Sequence, residues 1–195
     1  MKHKTMPAVV TAPDDGVFEA VVSVFNNKDL GGDIVRPGAF RKSLDRWAKS
    51  GSPIPVYWSH RTDDPSMNIG AVLEARELKG GSMPIPDWAN DWIKRNGGLY
   101  VKARLDDFGQ AAQVRHLMRN RRVQQFSFSY DVVREQRTGE GNELLELDLH
   151  EVGPTPLAMN PMTELISAKQ ATGDPVPSTD RLSRAAFLAY ARLLG

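Results

Sequence analysis

The chain has 195 residues, 41% hydrophobic and 25% charged, the size and balance of one globular domain with some tail to spare. Its 25 basic and 24 acidic residues leave a formal charge of +1, no excess of the kind that binds nucleic acid or an anionic membrane. It has no cysteine, which excludes disulfides, thiol nucleophiles and cysteine-based metal sites.

Residues 1–15 are polar, carry Pro7 and Pro13, and read as a flexible N-terminal arm. Residues 17–25 (VFEAVVSVF) have the β-branched and aromatic content of a first strand. Asn-Asn, Gly-Gly and Pro37 make residues 26–38 a loop. Phe40, Leu44 and Trp47 recur at helical spacing and predict a short amphipathic helix over 39–49. Gly51, Pro53 and Pro55 close it, and a strand over 56–59 follows, ending in His60.

After a turn-rich segment, residues 69–78 predict another strand. Residues 80–98 hold two prolines, Trp88 and Trp92, and read as an excursion with a short helix over 87–95. Strand character resumes over 99–105, and Ala111, Val114, Leu117 and Met118 give a helix over 110–119 one apolar side. A strand over 124–133, a turn at 138–142 and a strand over 143–152 come next. In the last of these, Leu145, Leu147 and Leu149 alternate with Glu146, Asp148 and His150. Residues 153–161 hold three prolines and read as a loop, and 163–168 as a last short strand. Residues 16–168 thus form the folded domain. Residues 169–195 read as a linker and a C-terminal helix that Asp180 caps. No run nears the ~18 apolar residues of a membrane span and the start has no apolar signal segment, so a soluble intracellular protein is expected. Six or seven strands against three helices, with short links, predict a mainly β, α+β fold: a small barrel with flanking helices.

The strand over 124–133 (QQFSFSYDVV) carries the chemistry. Phe126, Phe128 and Tyr130 fall on one side, and Ser127 and Ser129 fall together on the other, polar side. A hydroxyl becomes a nucleophile only with a base in hydrogen-bond reach, and the base works better when a third group holds its tautomer. Of the four histidines, His3 lies in the arm, and His116 lies in an arginine-rich helix and reads as solvated. His60, at a strand end, is the candidate base. Asp148, His150 and Glu151 are the candidate third members. The plainer reading of serines on an outer strand face is that they meet only solvent. No GxSxG elbow, HExxH, phosphate loop or EF-hand loop occurs, so neither a cofactor nor a metal is expected. Arg115, Arg119, Arg121 and Arg122 form a local basic patch that reads as facing solvent or an acidic partner.

Several segments, in order, resemble the prohead proteases of tailed phages, the serine proteases of capsid maturation. They are Gly32-Asp33-Ile34-Val35-Arg36-Pro37-Gly38-Ala39-Phe40, Val56-Tyr57-Trp58-Ser59-His60 with Ile69-Gly70, and Phe126-Ser127-Phe128-Ser129-Tyr130. Leu149-His150-Glu151-Val152 and Ala158-Met159-Asn160-Pro161 complete the set. The family is similar in fold to the herpesvirus assemblins, whose barrel carries a Ser-His-His triad. Carried over by position, the resemblance implies Ser127 as nucleophile, His60 as general base and Glu151 as third member. Two positions depart from the family pattern: Gly153, where Ser is usual, and Ser129, where Gly is common.

The resemblance implies an endopeptidase that cuts the major capsid protein and its scaffold segment, and itself, inside the immature capsid in the host cytoplasm. Activation as a homodimer is a further expectation from the assemblins. Oxyanion donors are expected among the backbone amides of residues 153–160. The alternative is a non-catalytic assembly module on the same barrel that binds capsid protein without cutting it.

Overall fold

Long runs of alternating and β-branched residues make strands, and in the computed structural model they assemble into one eight-stranded sheet. The structure describes residues 15–81, 91–160 and 162–168; the expected linker and C-terminal helix, nearly all of the N-terminal arm and part of the excursion at 80–98 lie outside them. The strands are β1 (Val17–Val24), β2 (Asp33–Val35), β3 (Pro55–Tyr57) and β4 (Asn68–Lys79). They continue with β5 (Gly97–Leu105), β6 (Gln125–Arg137), β7 (Asn142–Thr155) and β8 (Glu164–Ala168).

The strand order is β2-β7-β3-β4-β5-β1-β8, with β6 paired to β7. β7 organises the site because three strands bond to it. β2 lies parallel to its start, β3 parallel to its end at Val56 and Val152, and β6 runs antiparallel along its length. The sheet curls, so β6 returns to face β1: Phe18 and Phe126 stack with ring centroids 5.5 Å apart. The result is a mainly β, α+β half-barrel whose core holds Phe18, Val22, Phe40, Val56, Val101, Phe126, Leu147 and Val152. Burying a side chain such as Phe126 contributes roughly 2–3 kcal/mol, so the aromatic face of β6 holds the strand in register.

Helix α1 (Arg41–Ser50) ends at Gly51, whose left-handed φ of 71° stops the helix without a Cβ penalty. It docks on β7 through polar bonds. The Trp47 indole donates to the Leu149 carbonyl at 2.8 Å, and the Leu149 amide donates to the buried Ser43 hydroxyl at 2.9 Å. Helices α2 (Asp91–Asn96) and α3 (Gly109–Arg119) complete the described helices. α3 buries Ala111, Val114, Arg115 and Met118, one face of the turn spacing. Arg115 corrects the reading of a solvent-facing patch: it is buried and donates to the Asp106 carbonyl at 3.2 Å.

Three differences from the expected elements matter. β2 forms within the presumed loop. β3 stops at Tyr57, so His60 lies beyond the strand rather than at its end. β7 runs on through Gly153 and Pro154 to Thr155, where a loop was expected.

Candidate active site

The register of β6 and β7 assembles one face. Ser127 lies opposite Gly153, Phe128 opposite Val152 and Ser129 opposite Glu151. The next pair, Tyr130 with Leu149, skips His150, which is therefore an extra residue on β7. Strict alternation puts Glu151 on the same side as Leu147 and Leu149, inside the core. The bulge reverses the alternation, so Val152 enters the core and Glu151 turns to the face that Ser127 and Ser129 share.

On the other edge of β7, the chain leaves β3 and turns back over that face. Ser59 and His60 both adopt left-handed conformations, with φ of 53° and 60°. For residues with a Cβ such a conformation costs on the order of 1–3 kcal/mol each and persists only where the surroundings enforce it. Here the enforcement is visible. The Ser59 amide donates to the Pro154 carbonyl at 3.1 Å, and the Ser59 and Thr155 hydroxyls bond at 3.2 Å. The Arg61 amide closes the turn on the Trp58 carbonyl at 3.1 Å. The turn can approach only because residue 153 is glycine. A Cβ there would stand 1.7 Å from the Tyr57 carbonyl oxygen, and no rearrangement of a side chain could relieve that.

The turn delivers His60 to Glu151: Nδ1 lies 2.5 Å from Oε1. Glu151 is 2% exposed and His60 38%, so the carboxylate is sealed and the imidazole reaches solvent. The second carboxylate oxygen, Oε2, is buried without a partner among the described residues. Ser127 stands diagonal to Glu151 on the adjacent strand, where such neighbours are roughly 7–8 Å apart and somewhat closer at Cβ. An imidazole is the right size to fill that interval. With Nδ1 engaged, Nε2 is the nitrogen left for a hydroxyl. The Ser127 hydroxyl makes no hydrogen bond to another described residue.

The other candidate third members are engaged elsewhere. Asp148 accepts from Arg46 and from Ser43, and the Arg46 bond holds its carboxyl below the ordinary aspartate range. His150, the bulge residue, is exposed and its Nε2 lies 3.0 Å from Asp131. His116 is exposed, as expected of a solvated helix face. Among the expected oxyanion donors, the Leu157 and Ala158 amides bond to the Thr155 hydroxyl and the Gln125 side chain. Those of Gly153 and Thr155 lie within β7. No cluster of three or more metal-binding side chains exists among the described residues. No described helix is long and apolar enough to cross a membrane.

One feature of the site had no sequence signal. Ser127 also borders a cleft between β6, β1 and the loops at 27–33 and 159–160, with Asp29, Asp33 and Tyr130 in its wall. No spacing rule joins a loop aspartate to a strand about a hundred residues away.

Residues 93–176 match the family described as caudovirus prohead serine protease, a stretch that includes Ser127 and Glu151 and begins after His60. The chain is 27% identical over 124 residues to the prohead protease of Enterobacteria phage HK97. That stretch is 63% of this chain and 45% of the relative, so the chain spans less than half the length of the curated protein it matches. No solved structure matches it.

Proposed function

We propose that this chain, a caudovirus prohead serine protease by family, is the endopeptidase of capsid maturation and works through Ser127, His60 and Glu151. The observation that carries the reading is the 2.5 Å contact between His60 Nδ1 and a sealed glutamate, on the face that presents Ser127. Glu151 accepts the Nδ1 hydrogen, which fixes the tautomer and leaves Nε2 as base. His60 takes the Ser127 proton as the hydroxyl oxygen attacks a peptide carbonyl. The same imidazolium then protonates the leaving amine, and water, deprotonated by His60, releases the acyl group. Glu151 stays ionised throughout and stabilises the imidazolium. The developing oxyanion needs donors, each worth about 3 kcal/mol in studied proteases. The backbone amides of Met159 and Asn160, which border the cleft with Ser127, are the remaining candidates in their loop.

The proposed substrates are the major capsid protein with its scaffold segment, and the protease itself, within the immature capsid in the host cytoplasm. The test is co-expression of wild type or Ser127→Ala with the phage's capsid protein, followed by intact mass. The expected result is trimmed capsid protein with wild type and full-length protein with Ser127→Ala. Uncut products in both cultures would instead favour the non-catalytic assembly module. Light scattering of Ser127→Ala tests the homodimer: a monomer at every concentration, beside an active wild type, would exclude activation by pairing.

A further inference from the structure

The cleft bordered by Ser127 has an unusual charge arrangement. Asp29 and Asp33 both line it, and neither forms an ion pair with a described lysine or arginine. Asp29 Oδ1 accepts from the Gly31 and Asp33 amides, at 2.8 and 3.0 Å, and Asp33 Oδ1 accepts from the Asn142 side chain at 3.1 Å. These are neutral donors, so the cleft keeps its negative charge. Burial first, and then repulsion from Asp33, raise the Asp29 carboxyl above the ordinary aspartate range. Tyr130 feels the same field: burial and the two carboxylates push its hydroxyl up to about 12.

A second, independent feature lies in the same wall. Ser23 is 1% exposed, lines the cleft, and its buried hydroxyl has no partner among the described residues. A buried hydroxyl left unpaired costs about 1–3 kcal/mol, and here its lone pairs are available to an N–H group entering from the cleft. The wall also has apolar side chains, Val35, Phe128 and Met159 among them, beside the polar Asn27 and Asn160. A cleft that joins apolar side chains to two carboxylates matches a long methylene stem with a cationic head. A metal ion fits less well, because no third metal-binding side chain joins the two aspartates.

We propose that this cleft is a specificity pocket that binds a lysine or arginine side chain of the substrate within two residues of the scissile bond. The stem lies along Phe128 and Met159, and the ammonium or guanidinium donates to Asp33, Asp29 and the Ser23 hydroxyl. This inference rests on Ser127 being the nucleophile.

The full chain is incubated with a degenerate peptide library, and new termini are read by mass spectrometry. The best-cut peptide is then compared with its Lys- or Arg-to-Gln version. The expected result is a basic residue within two positions of the cut, and a loss of about tenfold or more in kcat/KM when it becomes Gln. In Asp33→Asn that loss shrinks to about threefold or less, since one charged acceptor is gone. Asp29→Asn is the second variant if Asp33→Asn does not fold, because Asn keeps the acceptor for the Gly31 amide. Fluorescence anisotropy of Ser127→Ala with labelled versions of the same two peptides gives a readout free of chemistry, with tighter binding of the basic one expected. For a library that no enzyme cuts, the binding pair is Ala-Ala-Lys-Ala-Ala and Ala-Ala-Gln-Ala-Ala. Cleavage without a nearby basic residue, or a Gln penalty equal in wild type and variant, overturns the pocket and leaves the triad standing. An uncut library with preferred binding of the basic peptide overturns the triad and leaves the pocket standing. Equal binding of both peptides to Ser127→Ala overturns the pocket in either case.

Discussion

The two halves of β7 use carboxylates in opposite ways. In the first half every acidic side chain that points outward has a cation: Glu143 pairs with Arg36 at 2.6 Å, Glu146 with Lys42 at 2.8 Å, and Asp148 with Arg46. All three cations come from α1 or the segment just before it, and each pair retains contact with solvent. In the second half Glu151 is sealed, its partner is an imidazole, and one oxygen has no partner among the described residues. A strand built only for stability would repeat the first arrangement. The second arrangement carries a desolvation cost that packing does not return, which is the usual mark of a group kept for chemistry.

The contrast is broken most severely at Glu151 itself. Glu151→Gln keeps the volume but can offer Nδ1 an amide hydrogen instead of a lone pair, so the wrong tautomer is favoured. The expected loss in kcat is roughly 10⁴-fold, as in serine proteases with a neutralised third member. Denaturant unfolding should show unchanged or increased stability, because a buried charge with an orphan oxygen is removed. Activity lost together with stability would make Glu151 structural and return it to the class of the first half. The next largest effect is on stability. Gly153→Ala forces a methyl group against the Tyr57 carbonyl, and the turn carrying His60 must lift from β7. A destabilisation of about 1–3 kcal/mol is expected by urea unfolding, with cleavage reduced as well. A fully stable and active Gly153→Ala would mean the turn does not depend on that approach.

The same contrast explains how much the sequence disclosed. Alternation at Phe126, Phe128 and Tyr130 located the serine face, because aromatic residues at period two leave only one way to bury the strand. Phe40, Leu44 and Trp47 located α1 to within two residues of Arg41–Ser50 for the corresponding helical reason. The first half of β7 was less legible: Leu144, not Leu145, enters the core beside Leu147, because Arg134 pairs with Glu146 and Glu135 with Leu144, which leaves Leu145 as an extra residue on β7 and shifts the alternation. The second half was legible only through resemblance. A bulge at His150 has no composition cue, yet it decides whether Glu151 faces the core or the histidine. Gly153 and Pro154 read as loop residues. In the fold, β3 presses on the glycine from one side while β6 pairs beyond it, so tertiary contact overrides local preference. β2, three residues long, was invisible because the strand it pairs with, β7, lies about a hundred residues away in the chain.

Charge removal in the first half should do little, which sharpens the comparison from the other side. Asp148→Asn breaks the bond to Arg46, but both side chains are about half exposed, so a change within about 1 kcal/mol is expected and cleavage is unaffected. The folded carboxyl titrates below its unfolded value, so its contribution is present above the unfolded pKa and lost as pH falls through the folded one. Urea midpoints of wild type and Asp148→Asn should therefore differ at neutral pH and converge in acid. Divergence in acid would mean that another group dominates.

The smallest expected effect lies at the alkaline end, in the cleft beside the second half. Tyr130 is held neutral by burial and by Asp33 and Asp29, with its hydroxyl pushed up to about 12. A folded pKa above the unfolded value of about 10 means the contribution is intact below pH 10 and declines as pH rises from there toward 12. Tyr130→Phe removes the titrating group, so its stability should fall less steeply across that window than wild type. The neutral hydroxyl also interacts favourably with the nearby Asp33 carboxylate, so the same variant lowers stability slightly at neutral pH. The two curves should therefore approach each other above pH 10, read as urea midpoints by tyrosine-independent circular dichroism. Parallel curves would mean that Tyr130 ionises as freely as in the unfolded chain, and that the cleft does not hold the uncompensated charge that sets it apart from the ion-paired half of β7.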